Sequence, residues 1–281
     1  MIQVLNGLQF SMLLFLLAVG LSVVLGLMNF VNLAHGTLYM VGAYIGLAVA
    51  QATGAFWPAF VVAPLGAALV GSLLYLTLFR RMQSASPIKQ VLLTFGLIYV
   101  GLDAVRLIWG NYAFSVAKPA LLAGQLTIAG EPYPVYRLFI IAVGIVTLAA
   151  LYFGLERTRV GAMVRAGVDD KETVACLGID IDRVFFLVFT LGCGLAGLAG
   201  IVAAPVLSVY PGMDVAVLIF ALIVVVVGGP GSLAGAAVGS LLIGMADTFG
   251  RVLLPEFASF LIYALMALVL LLRPRGLFAV R

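Results

Sequence analysis

Apolar residues run through this chain in blocks, and charges or turn signals separate the blocks. About 20 apolar residues suffice for one helical crossing of a bilayer core. Residues 7–27 meet that length without interruption. Residues 33–50 form a weaker block, broken by His35, Gly36, Gly42 and Gly46. Residues 58–79 run up to Arg80 and Arg81, and residues 91–109 carry Asp103 and Arg106 in their last two turns. A Pro-containing, charge-poor loop over 111–135 follows, then a block at 136–155. After a long polar stretch come residues 184–204. Residues 215–227 are short and stop at Gly228-Gly229-Pro230-Gly231; residues 233–249 are short and Gly-rich; residues 257–272 close the set. The pattern predicts an all-α, polytopic integral membrane protein, one membrane domain over 1–281, with about eight to ten crossings. The range is open because 33–50 and 215–249 read equally as broken or re-entrant segments.

The polar stretch, residues 156–183, is the one long island in this pattern. It holds five of the chain's 15 Lys and Arg residues and six of its 11 Asp and Glu residues. It is too charged to lie in lipid and too short to fold as a domain of its own. Composition agrees with the blocks: 64% of residues are hydrophobic and 9% are charged, against about 25% charged in a soluble domain. Basic residues collect at the ends of apolar runs. That is where the positive-inside rule uses them, and it gives no reason to expect nucleic acid as a partner. Arg80, Arg81 and Lys89 mark one cytoplasmic loop, the island marks another, and Arg273, Arg275 and Arg281 place the C-terminus inside. Nine crossings then put the N-terminus outside. No Lys or Arg precedes Arg80, so 7–27 reads as a retained helix rather than a cleavable signal.

Small residues recur every four positions at Gly42 and Gly46, at Gly192, Ala196, Gly200 and Ala204, and at Gly231, Gly235 and Gly239. In lipid such spacing lets helices pack backbone to backbone. A short echo links NLAHGTLYMVGAYIG with GSLAGAAVGSLLIG, both predicted to run from inside to outside.

Chemistry-bearing motifs are few. The sequence has no Walker A pattern, no HExxH, no CxxC and one histidine, so it does not hydrolyse ATP itself and calls for no metal or cofactor. Cys176 in the island and Cys193 in the next apolar run fall in different environments, which predicts no disulfide. The most polar intramembrane stretch is 28–46, where Asn29, Asn32, His35 and Thr37 gather at a helix start. Buried amides and imidazoles face the protein interior or a water-filled path. The group either caps and glues a helix or lines a pathway. Asp103 and Arg106 read as a compensating pair snorkelling to the interface; Asp214, Asp247 and Glu256, near segment ends, are expected at the interface too.

In the island, 169–177 is long enough for a helix of about two turns. Asp169 and Asp170 sit at its start, where acids favour the helix dipole, and Gly178 sits where a glycine would end it. Val174 and Leu177 give it an apolar face, and Gly161, Ala162 and Gly167 allow turns. A helix lying on anionic lipid is usually basic, whereas this segment carries three acids and one Lys, so a protein partner is expected.

NFVNLAHGTLYMVGAYIG, the island and FTLGCGLAGLAGIVAAP together resemble the inner-membrane permeases of bacterial branched-chain amino acid ABC importers, the shorter LivH type in particular, over about residues 7–277. Such permeases carry a cytoplasmic E-A-A-x-x-x-G loop that docks on the ATPase. Glu172 and Gly178 match its Glu and Gly, while Thr173 and Val174 stand where alanines are usual. The resemblance implies a second homologous permease, two cytoplasmic ATP-binding subunits and a periplasmic substrate-binding protein, all at a bacterial inner membrane. It implies alternating access, with Asn29, Asn32, His35 and Thr37 on the path and Asp169, Asp170, Glu172, Val174, Leu177 and Gly178 at the coupling loop. Permeases for urea and short amides share these motifs. An ion-coupled secondary transporter is the alternative of another class; the Gly228–Gly231 break favours it.

Overall fold

The structure is a computed structural model. It describes residues 1–278 apart from 29, 31, 84 and 129, and leaves out the side chains of Glu156, Val168, Asp169, Lys171 and Glu172. Asn29 and Arg281 therefore lie outside the described residues, as do the side chains of Asp169 and Glu172.

Among the described residues, eleven helices follow one another. α1 is Ile2–Met28 and α2 is His35–Thr53. α3 runs Phe56–Met82 and contains a π-turn at Tyr75–Phe79. α4 is Pro87–Trp109. After a two-stranded hairpin, β1 Gln125–Ile128 and β2 Glu131–Pro134, come α5 Val135–Arg157, α6 Arg159–Asp169 and α7 Lys171–Cys176. α8 Ile181–Ala203, α9 Met213–Gly228, α10 Leu233–Leu253 and α11 Ala258–Leu272 complete the chain. Seven of the described helical segments are long and apolar enough to cross a membrane. α2 falls short in apolarity. α9, with 16 residues, is about 24 Å long at 1.5 Å per residue, against a hydrocarbon core of about 30 Å.

α1 is the central post. Of its most apolar stretch 72% is buried, against 17% for α4 and for the last segment, Pro255–Leu272. It packs on α10, α8, α5 and α9. The small-residue stripes produce the expected close approaches. A Cβ on Gly42 would overlap the Cα of Gly197, and one on Gly228 would overlap the Gly235 carbonyl. Adjacent helices thus meet at van der Waals distance where lipid supplies no hydrophobic drive of its own.

The bundle has two distinct ends. At one, the hairpin and the preceding loop meet the connection after α8: Phe114 and Val209 exchange backbone hydrogen bonds of 2.8 and 2.9 Å. The Arg137 guanidinium reaches the Asn6 side chain at 2.6 Å there. At the other, basic end, Arg80 pairs with Asp182 at 3.1 Å. There the tail donates from Leu277 and Phe278 to the carbonyls of Val227 and Gly228, each at 2.9 Å. The start of the chain and its described tail lie at opposite ends, as nine crossings require. α2 and α10, the two helices of the sequence echo, both run from the basic end toward the hairpin end.

Candidate functional site

Side chains cap three helix starts at the basic end, while α4, preceded by Ser86, has no side-chain cap. Thr158 accepts from Gly161 N, Asp180 from Arg183 N and Ser232 from Gly235 N, each a favoured capping type. α2 and α9 begin differently. Ala34 and Gly212 precede them, and neither start has a side-chain cap. Both lie inside the bundle. His35 Nε2 lies 3.1 Å from the carbonyl oxygen of Leu17, near the middle of α1, so α2 starts beside the middle of α1 rather than beside its end. A carbonyl only accepts, so Nε2 carries the proton. The first turn of α9 meets that of α2: a methyl on Gly36 would press on the Asp214 carbonyl oxygen and on Leu218.

Four polar side chains are buried around the starts of α2 and α9. Asn32 is 1% exposed, and neither end of its amide has a hydrogen-bond partner among the described residues. His35 is 1% exposed. Thr37 donates from Oγ1 to Asp214 Oδ2 at 3.1 Å, while Asp214 Oδ1 has no such partner. Asp214 is itself 1% exposed. Of the pathway candidates, Thr37 is joined to Asp214, a residue not among them; His35 turns instead onto α1, and Asn32 is buried just before α2. The burial of Asp214 corrects the expectation that it sits at the interface: α9 starts within the bundle, so a residue near a segment end is buried. Asp247, also expected at the interface, is 5% exposed and bonded to Arg251 at 2.8 Å. Asp103 and Arg106 are exposed and 3.6 Å apart at the hairpin end of α4. An acid at the centre of a membrane helix costs about 2.5–3.5 kcal/mol on insertion scales.

At the basic end the island forms an elbow of two helices. α6 occupies the segment in which Gly161 and Gly167 were expected to allow turns; both lie within the helix. Gly161 backs onto the Leu155 carbonyl, and Gly167 lies against Leu27 of α1. Asp170 ends α6, its N–H donating to Ala166 O, and its carboxylate accepts from Thr173 N at 3.1 Å to start α7. Gly178, with φ +82°, follows α7. α7 is shorter than the two turns expected. Val174 is 4% exposed and packs within this chain, while Leu177 is 74% exposed. Of the two apolar residues expected to meet a partner, Leu177 alone is presented outward.

A bundle of membrane-length helices with uncapped helix starts and polar groups collected inside it defines a multi-pass membrane permease. The chain belongs to the family described as branched-chain amino acid transport system, permease component, whose model matches residues 3–270. It is similar to the high-affinity branched-chain amino acid transport system permease protein LivH of Escherichia coli, 28% identical over 98% of this chain and 94% of that protein. It is similar also to the high-affinity branched-chain amino acid transport system permease protein LivM of E. coli, at 28% identity over 95% of this chain and 68% of that protein. Its fold resembles a chain of the structure of PsaBC from Streptococcus pneumoniae in complex with Fab. The TM-score is 0.51 and the identity 13%, over 95% of this chain and 89% of that one.

Proposed function

We propose that this chain is a permease subunit of an ATP-binding cassette importer and carries branched-chain or other hydrophobic amino acids inward by alternating access. The observation that carries this is the pairing of a polar junction inside the bundle with a two-helix elbow at its basic end. One is a place for a substrate to pass; the other is a lever held by α5 and α8. Leu177 and the Asp169–Gly178 segment, Glu172 among it, dock on one of two cytoplasmic ATP-binding subunits. A second homologous permease completes the path; likeness to both LivH and LivM supports such a pair. A periplasmic binding protein delivers substrate at the hairpin end and supplies most of the selection. Positive-inside reasoning puts the basic end in the cytoplasm, so the N-terminus is outside and the C-terminus inside, across a bacterial inner membrane.

The test is uptake by the reconstituted complex with radiolabelled leucine and urea. Leucine entry that needs ATP and the binding protein is expected. ATP-dependent entry of urea alone would move the chain to the amide-carrying group, and leucine entry driven by an ion gradient without ATP would make it a secondary transporter. Labelling in intact cells checks the orientation: a cysteine engineered at Gly124 should react with an impermeant reagent and one at Asp170 should not.

A further inference from the structure

We propose that Asp214 binds the ammonium group of the amino acid as it passes the junction of α2 and α9, an inference that rests on the amino-acid reading above. Asp214 is a sealed carboxylate with one oxygen engaged by Thr37 and the other unpartnered among the described residues. A buried acid needs a cation or a set of donors to satisfy it. The basic side chains whose ion pairs the structure gives lie elsewhere: Arg80 and Arg183 at the basic end, Arg106 on α4, and Arg251 on Asp247. None of these ion pairs among the described residues involves Asp214, which leaves it free to take the ammonium group of a substrate.

The surroundings suit the rest of a hydrophobic amino acid. The first turn of α2 has no side-chain cap, and first-turn N–H groups favour a carboxylate. Asn32, with both amide ends unpartnered and 1% exposed, adds a donor just before that turn. On the other side of Thr37, between α2, α3 and α4, lies a cavity of about 270 Å³ lined by Leu38, Val70, Leu74, Leu97 and Val100 among others. Its walls are almost wholly apolar and would take an aliphatic side chain. Thr37 bridges the two environments, its hydroxyl on Asp214 and its methyl against Gly101. A cation site, an anion site and an apolar recess around one threonine match a zwitterion with a branched side chain. A neutral amide could donate N–H to the carboxylate but would bring no charge to balance it.

The experiment uses the whole complex in proteoliposomes. Carbodiimide modification of Asp214, followed by mass spectrometry, should slow about tenfold in the presence of leucine. It should not slow with 4-methylpentanoate, which lacks the amine, nor with sodium. Asp214→Asn keeps an oxygen for the Thr37 hydroxyl and so preserves the packing. It should assemble normally and lower leucine uptake about tenfold, with partial recovery in Asp214→Glu. Wild-type uptake by Asp214→Asn, no protection by leucine, no modification of Asp214 in any state, or equal protection by 4-methylpentanoate or sodium would each overturn the inference while leaving the importer reading in place. If the wild-type complex carries no amino acid at all, the importer reading itself fails.

Discussion

The polar junction inside the bundle and the polar elbow at its basic end use similar residues under opposite conditions. At the elbow, Asp170 accepts from the backbone and side chain of Thr173, and Asp180 both caps α8 and pairs with Arg183 at 2.8 Å. Water reaches these groups, so each bond contributes little and a lost one is replaced by solvent. At the junction, Asn32 and Asp214 are buried and have polar atoms without hydrogen-bond partners among the described residues. The elbow therefore tolerates the loss of single internal bonds, and in the proposed coupling role it is sensitive to shape and to charge reversal. The junction tolerates shape changes worst and composition changes next.

The largest effect separating the two regions comes from the helix contacts that frame the junction. Gly197→Leu would drive a side chain into Ala67 and the Ala63 carbonyl, and overpacking costs about 1–3 kcal/mol or more. The expected outcome is loss of the complex from the membrane, read by co-purification of the subunits. Next come Gly178→Pro and Glu172→Arg at the elbow. Proline cannot adopt φ +82°, so the exit from α7 must rearrange while the bundle stays intact. Chain levels should be normal, and substrate-stimulated ATP hydrolysis should fall about tenfold if the elbow supplies an interaction of about 1.4 kcal/mol. Full stimulated hydrolysis with full uptake would show that the elbow is not the coupling element.

Smaller effects should follow Asn32→Leu and His35→Leu. Removing the His35 bond to Leu17 costs about 1 kcal/mol, not enough to block assembly, and leucine uptake should drop about fivefold. Unchanged uptake at normal expression would make both residues packing groups. The smallest effect belongs to Arg80→Ala. Both partners of the Arg80–Asp182 pair are more than half exposed, so stability should change by less than about 1 kcal/mol and thermal denaturation of the complex should barely shift.

Hydropathy made the long apolar helices legible, along with the polar island and the small-residue contacts. It did not separate α1 from α4, because both are apolar and partition into lipid alike; only packing shows that one is the core and the other its periphery. Asp214 was missed for a related reason. Its place near a segment end suggested an interface, although 16 residues between two glycines of positive φ are too few to span and point to a start within the bundle. α6 was legible in principle. Val160, Met163, Val164 and Gly167 recur at helical spacing opposite Arg159 and Arg165, a pattern outweighed at the sequence level by the glycines.

The two cysteines have a practical consequence. Cys193 is buried under Gly71 in the α3–α8 contact, whereas Cys176 is exposed in the last turn of α7. A maleimide dye added to the unaltered folded chain should therefore attach at a single point, on the arm expected to swing. The sequence thus carries its own attachment point for a fluorescent reporter of the proposed stroke, and no engineered thiol is needed to watch it.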